Sequence, residues 1–393
     1  MASAEERRPF SPALMSCITP LLVASLVVKP TPFRALFAIP ILGIAYYLLY
    51  YTTTGDAVMD LAIGDPITAL AATAVDFIIL SEPQTQLFKR GQQIPSSSFG
   101  SLWERIKWAL DLLTSHRGIG WTHEPIERLP PAPFSNEKAS RWKFIGYQLL
   151  TITTCFLMWD ICAIYTRSNP VFTITGPPLS SEPLLWRCIN MWAWAIPAAA
   201  ALTISHSLAS ITFVSLGIWS DISQWRPFFG SLKHACTVRG LWSRTWHQSM
   251  RRVVTAPGNK LISFLSIPRG SITSSLILLY TSFFVSAWIH HPGDYMMLGR
   301  YGGALEFFLA QPFIITLETL VITFAKRLGL RDRKIWRLLG YLWVQIWFAY
   351  LVPIWIQPQI DVGLMENGMG FSVIMGLWEG NWTPGNQKST SLG

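Results

Sequence analysis

Two stretches hold the residues best suited to chemistry. One is Val238-Arg239-Gly240-Leu241-Trp242-Ser243-Arg244-Thr245-Trp246-His247-Gln248-Ser249-Met250-Arg251-Arg252, and the other is Ser286-Ala287-Trp288-Ile289-His290. An imidazole titrates near neutrality and can take a proton from a hydroxyl, while guanidiniums grip phosphates. Written on a helix, Trp242 and Trp246 stand four apart with Val253 seven further on, giving an apolar ridge, and Arg244, His247 and Arg251 share a second, cationic face. By periodicity alone such a segment lies along a membrane surface, its rings in the acyl boundary and its arginines among phosphates. On the same footing His290 and His291 read as an interfacial pair capping a helix C-terminus.

The elements that must position these residues are apolar helices. The 393 residues are 51% hydrophobic and only 13% charged, which favours a multi-pass membrane protein over a set of soluble domains. The 19 Trp fit the same class, because an indole sits well at a membrane interface. Eight spans are expected: residues 11–28, 33–51, 57–80, 144–165, 190–217, 271–291, 305–325 and 336–355. The first is read as a retained helix, not a cleaved signal peptide. Phe371 to Trp378 is too short for a ninth and is expected at the interface.

The net charge of +9 raises the possibility of nucleic acid, but the basic residues fall in loops between apolar runs. A positive-inside pattern accounts for them, with lipid bilayer and no nucleic acid as partner. Residues 81–143, 220–270 and 326–337 are then cytosolic, and both termini are lumenal. Within the first loop, Leu102, Trp103, Ile106, Ala109, Leu110 and Leu113 form the stripe of a surface helix. The expected fold is all-α, a single membrane-embedded domain over residues 1–393 with about eight transmembrane helices.

The remaining candidates have simpler explanations. The five Cys show neither CxxC spacing nor a partner His, so they are expected as apolar fillers, with no metal site. Asp56, Asp60 and Asp65 could form a carboxylate cluster for magnesium and a diphosphate, as a prenyltransferase needs, but no second acidic cluster follows. Asp60, Asp65 and Asp76 lie in an apolar run and must face protein or water. His116, His123 and His234 sit in polar loops and are expected in solvent, and His206 in an interhelical hydrogen bond.

The order of residues is more specific than their periodicity. Gly240-Leu241-Trp242-Ser243-Arg244-Thr245-Trp246-His247-Gln248 closely resembles the Gly-Phe-Trp-x-Arg-x-Trp-His-Gln signature of fungal wax-synthase-like acetyltransferases, a branch related to the membrane-bound O-acyltransferases. Leu241 stands where the family usually has Phe. Ser286 to His290 is similar to the Ser-(Ala/Gly)-x-x-His motif that carries that family's active-site histidine, continued here by His291-Pro292 where Glu is frequent. Thr53 to Asp60 with Gly64, and Arg117-Gly118-Ile119-Gly120-Trp121, also resemble segments of these proteins.

The resemblance implies an O-acetyltransferase moving an acetyl group from acetyl-CoA, a co-substrate with no permanently bound cofactor, to a hydroxyl of a hydrophobic alcohol. Terpenoids and meroterpenoids are the expected acceptors, and the endoplasmic reticulum membrane the expected location. His290 takes the place of the base. His247, beside Trp246 and Gln248, orients the acyl donor or stabilises the oxyanion, and Arg244 and Arg251 hold the phosphates of coenzyme A. No Ser or Cys has an evident activating base, so direct transfer is expected over an acyl-enzyme. A reaction chamber within the membrane would bring cytosolic His247 and the deeper His290 to one place. A long-chain wax ester synthase and a non-enzymatic polytopic transporter are the alternatives; the latter leaves both histidine motifs without a task.

Overall fold

Helices carry nearly all of the regular structure in the computed structural model, which describes residues 7–134, 140–331, 333–366 and 370–383. The strands among these residues are β1 (Arg8–Pro9) and β2 (Thr52–Thr53), paired in parallel.

Helix α1 (Pro12–Val27) starts where its sequence directs: Ser11 Oγ accepts from Leu14 N at 3.3 Å and Pro12 opens the first turn. A 3₁₀ stretch, Pro32–Phe37, leads into α2 (Ala38–Tyr51). The next helix, α3 (Ala57–Ala74), widens into a π-helical turn at Val75–Leu80. Its start is fixed by two of the aspartates. Asp56 Oδ1 accepts from Met59 N at 2.8 Å, and the Asp60 carboxylate accepts from Thr54 N at 2.7 Å and from Thr53 Oγ1 at 2.5 Å. Both negative charges also complement the positive end of the helix dipole.

Then follow α4 (Leu102–Thr114), α5 (Arg141–Ser168), α6 (Leu184–Ser215), α7 (Arg251–Phe264), α8 (Ile272–Leu298), α9 (Ala304–Arg327), α10 (Lys334–Ile360) and the short α11 (Val373–Glu379). Seven stretches among the described residues are long and apolar enough to cross a membrane: Pro32–Tyr51, Ala57–Leu80, and α5, α6, α8, α9 and α10. The first expected span falls on α1, which is apolar but only 16 residues long. The protein is an all-α, multi-pass membrane protein.

One boundary differs in a way that matters. Expected to stop at His291, α8 runs on through Pro292 to Leu298, where Gly299, at φ +68°, closes it with its N–H on Tyr295 O. The stop signal is this glycine rather than the proline. His290 therefore sits inside the helix, not at its end.

The chain folds as two compact units, Met1–Glu127 with Gln248–Thr319, and Arg128–His247 with Leu320–Gly393. In the first, α1, α2 and α3 share a core of Ile18, Leu22, Ile41, Leu48 and Ile67, to which α8 adds Met296. Against lipid the hydrophobic effect gives little drive to pair helices, so close fit must supply it. The α3–α8 crossing is made by Gly64 and Gly293. A second core lies under α4: Trp108, Ala109 and Leu112 are buried with Leu26, Phe77 and Trp121. The expected stripe is thus rotated, leaving Leu102, Trp103 and Leu110 exposed and putting Trp108 inward, its ring edge-on to Trp121 at 5.7 Å.

The acidic residue at the end of α3 is paired. Asp76 is 1% exposed and meets Arg252 Nε at 2.9 Å, and the same guanidinium lies 5.3 Å from the Phe77 ring centre. Buried Arg34 donates to Gln84 Oε1 at 2.8 Å and to Phe77 O at 2.9 Å, so that both groups are satisfied away from water.

In the second unit α6 packs on α5 and on α10. Polar contacts join them: Tyr165 donates to Asn190 Oδ1 at 2.7 Å, and Trp192 Nε1 to Gln345 Oε1 at 2.7 Å. Fully buried Asp160 accepts from Ile374 N at 3.0 Å, which ties the start of α11 to α5.

Candidate active site

The Trp-His-Gln segment is not the continuous amphipathic helix that its spacing suggests. Thr237 caps a single turn, Val238–Gly240, its Oγ1 accepting from Gly240 N at 2.8 Å. A π-helical turn, Leu241–Thr245, follows and closes with Trp246 N on Leu241 O at 2.7 Å. At Trp246 the backbone becomes extended, φ −67° and ψ 154°. The neighbouring strand of chain takes the groups a helix would use: Gly230 N donates to Thr245 O at 2.8 Å, and Thr245 Oγ1 donates to Ser231 O at 3.0 Å. Only glycine permits this, because a β carbon at Gly230 would lie 1.9 Å from Arg244 O. Arg244, His247 and Arg251 therefore do not share a helical face. Trp242 and Trp246 still meet edge-on at 5.8 Å, through the π turn.

Within the second unit an aromatic shell surrounds the motif. Trp246 lies edge-on to Phe229 at 5.1 Å, and His247 lies 5.6 Å from Phe228 and 5.5 Å from Trp246. Trp242 is 6.1 Å from Phe348 of α10. Phe228 and Phe229 escaped the sequence reading, although a Pro-Phe-Phe-Gly run in an otherwise basic loop was a visible signal. Arg244 is half-buried on the π turn.

In the first unit, Gln248 is buried and its Oε1 accepts from Arg251 Nη1 at 3.0 Å, in the turn before α7. His290 projects from α8 with its side chain 29% exposed. Its Nδ1 lies 2.8 Å from Asp65 Oδ2 of α3, and its ring stacks on Phe308 of α9 at 4.8 Å with 2° between the planes. His291 stacks instead on Tyr301 at 4.1 Å. Ser286 Oγ donates to Ser282 O at 3.0 Å, a bond within its own helix. Neither Asp65 nor Phe308 was singled out as a partner of His290, because each stands on a different helix from it, Asp65 225 positions away in the chain, and spacing gives no signal for such contacts. Asp56, Asp60, Asp65 and Asp76 each have a different neighbour rather than a common centre.

Of the three loop histidines expected in solvent, His116 and His234 are exposed and His123 is not. His206 Nε2 meets the carbonyl of Arg226, in the loop after α6, at 3.0 Å. His123, expected in solvent, is half-buried, its ring packed against Gly118 at the tight turn where φ is +65°. Burial pulls its pKa down to about 4, helped by the positive charge of Arg252.

The model of the membrane bound O-acyl transferase family matches residues 225–310, a stretch that contains both histidine motifs. Over 384 residues the chain is 35% identical to acetyltransferase ple2 of Rhodocybe pseudopiperita, covering 96% of this chain and 98% of that protein. It is 34% identical to acetyltransferase eriL of Hericium erinaceus, over 95% and 98% of the two chains. A shorter likeness, 32% identity over 55% of this chain and 52% of the relative, is to O-mevalon transferase yanI of Aspergillus niger. No solved structure matches. Full-length similarity of this kind, with both motifs inside the matched stretch, means that the chain belongs to the membrane bound O-acyl transferase family and is an acyltransferase.

Proposed function

We propose that the protein is an O-acetyltransferase of fungal secondary metabolism, resident in the endoplasmic reticulum membrane, which moves an acetyl group from acetyl-CoA to a hydroxyl of a terpenoid or meroterpenoid. The observation that carries this reading is the setting of His290. On an apolar membrane helix, one imidazole is held by a hydrogen bond at Nδ1 and a stacked ring while part of it stays open to approach.

In the reaction His290 takes the proton of the acceptor hydroxyl as its oxygen attacks the thioester carbonyl. A tetrahedral oxyanion forms, the carbon–sulfur bond breaks, and the imidazolium returns its proton to the leaving thiolate. The products are the acetyl ester and free coenzyme A. His247 serves the donor side through an N–H, directed at the acyl carbonyl or the oxyanion, with Trp246 and Gln248 beside it in sequence. Arg244 and Arg251 are assigned the phosphates of coenzyme A.

Incubation of membranes holding the protein with radiolabelled acetyl-CoA and a panel of terpenoid alcohols tests this. The expected product is a labelled ester. Transfer from palmitoyl-CoA to a long-chain alcohol, with none from acetyl-CoA, would replace this reading by wax ester synthesis.

A further inference from the structure

The geometry points to Asp65 as the positioning residue of His290, an inference that rests on His290 being the base. Asp65 Oδ2 lies 2.8 Å from His290 Nδ1. An ionised carboxylate only accepts hydrogen bonds, so the neutral ring must carry its hydrogen on Nδ1. The lone pair is then on Nε2, the nitrogen that must take the hydroxyl proton. When that proton arrives, the charge on the ring faces a carboxylate at hydrogen-bond distance. Asp65 thus selects the tautomer, aims the ring and stabilises the charged form without touching substrate.

Three features show that the pair is a built arrangement. Phe308 fixes the plane of the ring, stacked within 2° of parallel. Gly64 and Gly293 let α3 and α8 approach closely enough for a short aspartate to reach across. Gly293 also makes room for the carboxylate itself: a β carbon there would lie 2.1 Å from Asp65 Oδ1. That oxygen is buried with no hydrogen-bond partner among the described residues.

The test measures kcat, both KM values and abundance for Asp65→Asn, His290→Ala, Gly293→Ala and the double variant Asp65→Asn/Gly293→Ala, each purified in detergent and normalised to monodisperse protein. Asp65→Asn keeps the size of the side chain but removes the charge. It is expected to lower kcat at least ~10²-fold with both KM values unchanged. Gly293→Ala, which displaces the carboxylate, should give a similar loss, and the double variant should lose no more than either alone. A wild-type kcat per folded molecule in Asp65→Asn overturns the inference, and so do losses that multiply in the double variant. If His290→Ala remains active, the reading of the base fails first. If His290→Ala is inactive while Asp65→Asn is not, only the role of Asp65 fails. Should Gly293→Ala not fold, the kcat of Asp65→Asn decides alone.

Discussion

Gly64 and Gly293 meet so closely that a β carbon on Gly64 would lie 2.9 Å from the α carbon of Gly293. The obstacle is backbone, which cannot swing away as a side chain can. Gly64→Ala must push α3 from α8 and should lower both the melting temperature and the activity per folded molecule, the latter more than tenfold. Gly43→Ala is the control: that glycine is also helical but has nothing within 4 Å of its added carbon. It should be neutral, or more stable by ~0.5–1 kcal/mol through helix propensity alone. Equal damage at both positions would mean that the crossing is not what matters.

His290→Ala should abolish acetyl transfer per folded molecule because the base is lost, and since the stack on Phe308 and the bond to Asp65 go with it, abundance is measured alongside. His291→Ala removes only a ring stacked on Tyr301 and should keep most of the activity. Radiolabel transfer by equal amounts of the two variants makes the comparison. Equal loss in both, or full activity in His290→Ala, contradicts the assignment.

At His247 an asparagine should retain measurable activity where alanine does not, since both His and Asn can donate an N–H. Its ring also touches Phe228, so the Asn variant will lose some packing and should show lower expression. The useful quantity is kcat per folded molecule. If Asn and Ala are equally inactive, the role of His247 is proton transfer.

Arg252→Ala leaves the buried Asp76 carboxylate without its cation and should cost on the order of 3–5 kcal/mol. Asp76→Asn in that background removes the stranded charge and should recover much of the loss. Thermal unfolding in detergent, followed by the near-ultraviolet signal of Trp, reads both. Failure of the second change to recover stability would mean that Arg252 acts through its stacking on Phe77 instead.

His123 gives a pH dependence with a definite sign. Burial holds its pKa at about 4 when folded, against the ordinary histidine value of 6.5. Below pH 6.5 the unfolded chain takes up a proton that the folded chain refuses, so stability falls as pH drops from 6.5 towards 4 and is flat in this respect above that window. His123→Gln should flatten the profile between those limits. An unchanged slope would place the acid sensitivity elsewhere.

Much of this was legible in sequence because it is periodic or local. The apolar runs gave the helices, since a span needs its residues in one continuous stretch, and the basic loops between them stood out by charge. The order Gly-Leu-Trp-x-Arg-x-Trp-His-Gln pointed to the family. What escaped were relations set by tertiary contacts. Helical spacing over Trp242 to Arg251 could not reveal that Gly230 and Ser231 capture the backbone at Thr245. The sixth span was expected to end at His291, yet α8 passes through Pro292 to end at Gly299. Asp65 was grouped with Asp56 and Asp60 by proximity in the chain, while its partner lay on another helix.

The last described turn has a consequence for how the protein matures. Asn381-Trp382-Thr383 is a glycosylation acceptor. Its middle residue is locked: Trp382 O accepts from Ser372 N at 3.0 Å, and the indole covers Gly376 so closely that a β carbon there would lie 2.3 Å from the ring. A transferase must hold those three residues in its own groove, which the folded turn forbids. With the C-terminus on the lumenal side, as the basic loops lead one to expect, sugar is added to Asn381 only before α11 closes over it. Occupancy at this site would therefore work as a clock: slow-folding variants should carry more glycan than the wild type, and the fraction modified would record how long each chain stayed open.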